Sequence, residues 1–296
     1  CNVYFKKLVT KVPDIIAQLD TSGKCPTVND DGSVSVTGVE ATNGYLCKAP
    51  DAYGDSYYYR GNVTNNYVLF ADKYWRIVRI NGDGTVRVIY DGTSAHANGE
   101  SSSDRQIGTS AFNSSYNDNA YVGYMYGQTG ASTYAAAHAN TNDSTIKAYI
   151  DNWYNTNIVG TTNEQYLADN IFCNDRSISS NKPSSSYNNL GYGTNATAYR
   201  WYYGPWGSGG YNSNMRLTCP QKNDAFTVSD TTNGNGALTY PVGLLSTDEI
   251  VLAGGWSTSN SGYYLYSGQY WWASSPSYFN NGRADVRFVA SNGSAY

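Results

Sequence analysis

The chain has 296 residues, 14% of them charged, and a formal net charge of −4. That length buries a substantial core as one large domain or two small ones. It carries no basic stripe for nucleic acid and no Lys/Arg run for an anionic membrane, and no apolar run approaches the roughly 18 residues of a membrane span.

Residues 3–20 carry Leu8, Val12, Ile15 or Ile16, and Leu19 at helical spacing, so a helix is expected there, with Pro13 a kink or restart inside it. Residues 21–52, rich in Gly, Asp, Thr and Asn, read as a lead-in to a main domain over 53–296. Tyr57–Arg60 and Tyr67–Phe70 are expected as short strands. Tyr74–Ile80 and Thr85–Tyr90 flank Asn81-Gly82-Asp83-Gly84, whose Asn-Gly and Asp-Gly pairs supply the positive φ of a hairpin turn. Residues 91–140 form a long polar stretch, of the kind that is functional or mobile.

Ser144 is placed to cap a helix over 145–155, with Ile146, Tyr149, Ile150 and Trp153 on one face. A short helix is expected over 164–172, and a Ser/Asn/Gly/Tyr-rich insertion over 177–214. Tyr240–Leu245 reads as a buried strand, and Ser246-Thr247-Asp248-Glu249 as the start of a helix through Leu252. The last segment, YWWASSPSYFNNGRADVRFVASNGSAY, reads as strand, Asn280-Asn281-Gly282 turn and strand. Ala284, Val286, Phe288 and Ala290 would face one way, and Asp285, Arg287 and Val289 the other. No fixed-period repeat suggests a solenoid or propeller. Few short strands, two or three helices and dominant loops give an α+β fold class.

Five cysteines stand at 1, 25, 47, 173 and 219. None forms CxxC and no His sits at ligand spacing, so no metal is expected. In an exported chain the expected disulfides are Cys25–Cys47 and Cys173–Cys219, each contributing roughly 3–4 kcal/mol by limiting the unfolded chain. Cys1 is left over: either an accident of where the sequence begins, or the lipidated first residue of a lipoprotein that anchors the N-terminus. Codon bias explains part of the Asn and 30 Tyr, but it should raise Lys equally, and Lys plus Arg total only 19. The remainder points to a polar, aromatic-rich extracellular protein.

The blocks YYYRGNVTNNYVLFADKYWRIVRINGDGTVRVIYDG (57–92), TIKAYIDNWYNTN (145–157), YLADNIFCNDRS (166–177), YPVGLLSTDEIVLAGG (240–255) and YWWASSP (270–276) occur in an order that resembles a family of bacterial surface proteins. The family is common in gut Firmicutes and Mollicutes-like genomes. Its domain is similar to the C-type-lectin-like fold of formylglycine-generating enzymes and of the variable proteins of diversity-generating retroelements. The resemblance implies that fold and a cell-surface setting. It implies no ligand. The family continues into a Gly-Val-Arg-Pro strand where this sequence ends, so an open sheet edge that admits a strand-adding or self-assembly partner is expected. The closely placed thiol pair of formylglycine chemistry and the Glu-Pro-Asn type of triplet of calcium-dependent lectins are both missing from the sequence.

The candidate ligand-binding set is Tyr270, Trp272, Ser274, Ser277, Tyr278, Phe279, Asn280, Asn281, Arg283, Asp285 and Arg287. Tyr, Ser, Asn and Arg are the residues of binding loops, where stiff aromatic area is joined to adaptable hydrogen bonding. Trp271, Val286 and Phe288 are assigned to the core. Trp201-Tyr202-Tyr203-Gly204-Pro205-Trp206 is a second aromatic candidate, either ligand-stacking or self-packed. The acidic runs 29–33 and 81–84 read as turns, since neither has a calcium-loop spacing with a closing Glu. His96 and His138 lie in polar loops, no nucleophile elbow is present, and Asp248 and Glu249 read as helix-start residues, so no catalytic residue, enzyme activity or cofactor is expected. The expected function is a surface-displayed, adhesin-like protein that recognises a protein or glycan on another cell or host surface. A filament or surface-layer subunit, and a hydrolase or oxidase on the same fold, are the alternatives.

Overall fold

A computed structural model describes residues 1–5, 15–205 and 214–296. Its main sheet is antiparallel and mixes the start of the chain with its middle. The strands are β1 (Asn2–Phe5), β2 (Gly44–Asp51), β3 (Gly54–Gly61), β4 (Tyr67–Phe70), β5 (Lys73–Ile80), β6 (Val86–Gly92) and two-residue β7 (Leu167–Ala168). A second sheet of three strands comprises β8 (Thr197–Ala198), β10 (Trp271–Asn280) and β11 (Arg283–Val289), with β9 (Val242–Gly243) joining the main sheet. Two helices complete the frame used below, α1 (Thr145–Asn157) and α2 (Thr247–Leu252). The α+β class is therefore as expected from the sequence.

The order across the main sheet is β7-β1-β6-β5-β3-β2, with β9 also on the edge of β1 and β4 also on β5. Three sequence expectations are corrected here. Residues 2–5 are not helical: they form a strand whose register runs Asn2↔Ile89 to Phe5↔Val86, because Val3 and Tyr4 are fully buried between β6 and the short strands β7 and β9. Residues 15–16 are helical, and 6–14 lie outside the described residues. The boundary expected between 52 and 53 falls in the turn of the β2–β3 hairpin, so residues 44–51 belong to the same sheet as 54–61. The helix expected over 164–172 is a 3-10 turn, Glu164–Tyr166, followed by extended Leu167–Ala168 and Phe172–Cys173. Sheet pairing on β1 and the covalent tie at Cys173 override a modest helical pattern there.

The β5–β6 hairpin forms, but of the four turn residues only Gly84 (φ 84°) has positive φ, so the Asn81-Gly82 pair does not act as expected; the hairpin's interior also differs from a half-solvated one. Residues Trp75 to Ile80 are all buried, including Arg76 and Arg79, and Arg87 on β6 is 1% exposed. Charged residues on a strand covered on both faces need partners, since an uncompensated buried charge costs several kcal/mol. Arg76 donates from Nε to Asp91 Oδ2 at 2.9 Å. Arg87 Nε lies 2.9 Å from Glu249 Oε1, and Arg79 Nη1 lies 3.5 Å from the same oxygen. The Tyr4 hydroxyl accepts from both Arg79 and Arg87.

Glu249 also closes the capping box of α2: its Oε2 accepts from Ser246 N at 2.9 Å, and Ser246 Oγ accepts from Glu249 N at 3.3 Å. Beside it, Asp248 Oδ2 accepts from Trp201 Nε1 at 2.9 Å and from Arg200, while its Oδ1 accepts from Arg216 N at 2.8 Å. A further buried pair, Arg176 with Asp224, stands just before the 177–214 insertion. The α1 helix starts at Ser144 as expected, its hydroxyl accepting from Lys147 N. Both expected disulfides are present, Cys25–Cys47 and Cys173–Cys219, and Cys1 is free.

The carboxylate of Glu249 is thus shared between a helix cap and two sheet arginines. Glu249→Gln keeps the shape and one capping acceptor but leaves Arg79 and Arg87 buried without their counter-ion. Urea unfolding is expected to show a loss of about 3–5 kcal/mol, with Glu249→Ala lower by about a further 1 kcal/mol for the missing cap. A loss below about 1 kcal/mol in Glu249→Gln would show that the pair is not structural.

Candidate functional site

The terminal hairpin carries the candidate set, and its turn forms as the sequence requires. Asn281 (φ 50°) and Gly282 (φ 70°) both lie in the left-handed region, the requirement of a type I′ hairpin turn. From that tip, β10 pairs with β11 on one side and with β8 on the other, where Thr197 faces Phe279 and Ala198 faces Tyr278. The strand β8 delivers the 199–205 loop alongside β10.

The structure divides the eleven candidate residues into three groups. Ser274, Ser277 and Phe279 are buried, a correction to their expected exposure. Residues 273–277 are all buried because β10 is covered by α2 and its neighbours: Ser274 Oγ donates to Cys173 O at 2.6 Å, and Ser275 Oγ accepts from Thr247 N at 2.9 Å. A serine that satisfies buried backbone looks the same in sequence as one on a surface.

Tyr270 and Trp272 stand at the base of the hairpin. Tyr270 is 64% exposed, and half-buried Trp272 donates from Nε1 to Ser110 O at 3.0 Å. Their rings lean on Phe288 at centroid distances of 6.0 and 6.2 Å. Trp271 and Phe288, assigned to the core from sequence, are only half-buried, whereas Val286 and Val289 are both buried. The expected alternation fails at its base, since β10 has register shifts between Trp272 and Pro276 and again before Tyr278. Between Trp271, Phe288, Tyr149, Ile150, Ile107 and Leu265 lies a cavity of about 400 Å³.

Tyr278, Asn280, Asn281, Arg283, Asp285 and Arg287 gather at the tip end. Here the second aromatic candidate joins the first. Tyr202 packs edge-on against Tyr278 at 5.7 Å, Tyr203 at 4.9 Å and Tyr187 at 5.9 Å. Arg287 fastens the loop that presents Tyr202, donating from Nε to Trp201 O at 2.9 Å and from Nη2 to Tyr202 O at 2.6 Å. Burial lowers the Arg287 pKa to about 10, which leaves it charged at neutral pH. Trp201 itself is core, bonded to Asp248, and Trp206 lies outside the described residues.

The hydroxyls of Tyr187 and Tyr278 are already engaged. Burial, followed by the Tyr202 hydroxyl and opposed by Asn280, raises the Tyr187 pKa to about 12. Burial and then a hydrogen bond to Asp285 raise that of Tyr278. Arg283 Nη2 lies 3.3 Å from Asp285 at the exposed edge. Four tyrosine rings and a hairpin tip are therefore packed together without any partner. Sequence reasoning missed Tyr187, whose only signal was membership of a Tyr-rich insertion.

The remaining candidates are placed as follows. The carboxylates of Asp31 and Asp83 accept from Ser33 and Thr85 two residues on, so both acidic runs are turns. Among the described residues, no group of three or more His, Cys, Asp or Glu is placed to hold a metal. His96 stands between Glu100 and Asp104, each 2.8 Å from a ring nitrogen. Burial works to lower its pKa, but the two hydrogen-bonded carboxylates outweigh that and raise it above 6.5. His138 stacks on Tyr134 at 3.9 Å and bonds Gly191 O through Nε2 at 2.9 Å. Burial, with Arg176 nearby, lowers its pKa to about 3.

The two histidines link stability to pH in opposite directions. The His96 contribution is complete below about pH 6.5 and is lost as pH rises through its raised folded value. The unfolded chain protonates His138 near pH 6.5 and the folded one does not, so stability falls below that pH by roughly 1.4 kcal/mol per unit. His138→Gln is expected to flatten this acid limb, and His96→Gln to weaken the fold near pH 6 but not near pH 9. Urea midpoints from about pH 4 to about pH 9 check both, and an acid limb unchanged in His138→Gln would count against the linkage.

Family models, curated proteins and solved structures searched with this chain give no match.

Proposed function

We propose that the protein is a surface-displayed binding protein on a C-type-lectin-like fold, and that it recognises a partner through the tip patch of Tyr202, Tyr203, Tyr278, Asn280, Asn281 and Arg283. The observation that carries this reading is the pre-set tyrosine cluster. Tyr202 touches three other tyrosine rings, and the loop that holds it is fastened to β11 by Arg287. Tyrosine supplies large contact area with few rotatable bonds, and a cluster fixed in advance loses little entropy on binding. Arg283 and Asn281, both exposed at the tip, supply adaptable polar contacts at the rim. Two disulfides fit an oxidising compartment, which supports extracellular display. A partner protein suits this patch best, because aromatic and Arg anchors dominate protein–protein hot spots.

Labelled protein applied to intact bacterial and epithelial cells tests the reading. Tyr202→Ala and Tyr278→Ala are each expected to weaken cell binding about 30-fold, the effect of one hot-spot residue. Protease treatment of the cells should abolish binding, and glycosidase treatment alone should not. Unchanged binding by the folded double variant would remove the patch as the site, and loss on glycosidase treatment alone would assign the ligand to glycans.

A further inference from the structure

We infer that the groove at the base of the terminal hairpin is a second, independent binding site, and that it takes a compact uncharged molecule with a flat, hydrocarbon-rich body. The volume of about 400 Å³ falls within the range of small-molecule sites, roughly 300–1,000 Å³. The site lies at the other end of β10 from the tyrosine patch: Trp271 and Tyr278 are seven residues apart, about 20 Å at strand rise. Its failure or success leaves the patch reading untouched.

The ligand class follows from how most polar atoms of the wall are spent: of the lining side chains, the buried Asn2 Oδ1 and Tyr264 hydroxyl have no partner among the described residues, enough for one polar group on an otherwise apolar guest but not for a charge. Asp91 is shared between two arginines, accepting from Arg76 at 2.9 Å and from Arg105 at 2.7 Å. Arg105 Nη1 donates to Glu100 O at 2.8 Å, and Gln106 Nε2 donates to Tyr270 O at 2.6 Å. The Trp272 indole N–H is on Ser110 O at 3.0 Å, and the Tyr149 hydroxyl is on Ile107 O at 3.3 Å. A charged guest would lose its hydration here and gain few hydrogen bonds in return, which is unfavourable. An apolar guest needs none of these groups. It would leave water for a wall of aliphatic and aromatic side chains, with the half-buried rings of Trp271, Trp272 and Phe288 at the rim.

The wall is also built to stay open. Gly108 has φ +142°, and a Cβ there would fall 1.9 Å from the Tyr149 hydroxyl oxygen. Glycine lets the 107–110 segment cross Tyr149 closely and hold it by the Ile107 carbonyl rather than let the ring fall into the groove.

The test uses N-phenyl-1-naphthylamine, an uncharged two-part aromatic amine that brightens out of water. Titration into the whole protein should give saturable, one-to-one fluorescence enhancement with a micromolar midpoint, accompanied by quenching of tryptophan emission. Benzoate, which is charged, should not compete, and naphthalene should. Ile107→Asp is expected to weaken probe binding at least tenfold, and Phe288→Glu, at another lining residue, serves if Ile107→Asp fails to fold. Tyr278→Ala, at the tip, should bind the probe as wild type does. Any of three results would overturn the inference: no enhancement by folded protein, non-saturable enhancement of many probes per chain, or full binding by a folded groove variant. Concentration-dependent dimerisation abolished by Phe288→Glu, without probe binding, would assign the groove to a second copy of the chain and also overturn it.

Discussion

The structure depends on one carboxylate. Glu249 sits at the first turn of a six-residue helix, 5% exposed, with one oxygen capping that helix and the other between two sheet arginines. A helix this short has little stability of its own, since nucleation is costly and only a few backbone bonds follow. The sheet for its part carries Arg79 and Arg87 inside a face that should be apolar. Each element is untenable without the other, and one side chain resolves both. Breaking such a buried pair costs more than the pair itself is worth, because the arginines remain.

The neighbouring residue extends the same constraint to the candidate site. Asp248 holds Arg200 and the Trp201 indole, which sets the start of the loop that carries Tyr202. From the opposite side, Arg287 on β11 holds the carbonyls of that loop. The helix α2 also meets β10 directly, through Thr247 and Ser275. The tyrosine patch is therefore assembled from three sequence-distant segments, two of them tied to the same short helix and the third, which carries Tyr187, packed on Tyr202. Two tyrosines from different loops can meet a third on a hairpin only because this polar frame fixes the separation.

The terminal hairpin passes through three different environments along one pair of strands. The middle of β10 is buried and uses serines to satisfy backbone, the tip is polar with left-handed Asn-Gly geometry, and the base opens into an aromatic groove. Register shifts on β10 separate these regions, since each bulge re-aims the side chains that follow. A rigid hairpin with two dissimilar ends suits recognition at one end and a small apolar guest at the other.

The sequence by itself determined what local chemistry can encode. The positions of the two hairpin turns, the Ser144 and Ser246 caps and the two disulfide pairs are each set by local residue chemistry, and each stands where expected, although at 81–84 only Gly84 takes the positive φ. The aromatic and polar character of the last segment was equally legible. Tertiary structure alone decided which of those residues reach solvent: Ser274 and Ser277 went inside, Phe288 came half out, and Tyr187 arrived from an insertion with no pattern of its own. It also decided that residues 2–5 are a strand, because pairing with β6 outweighs a helical spacing. Arg79, Arg87 and Glu249 lie up to 170 positions apart in the chain, and charge complementarity over such separations has no period or neighbour rule to announce it.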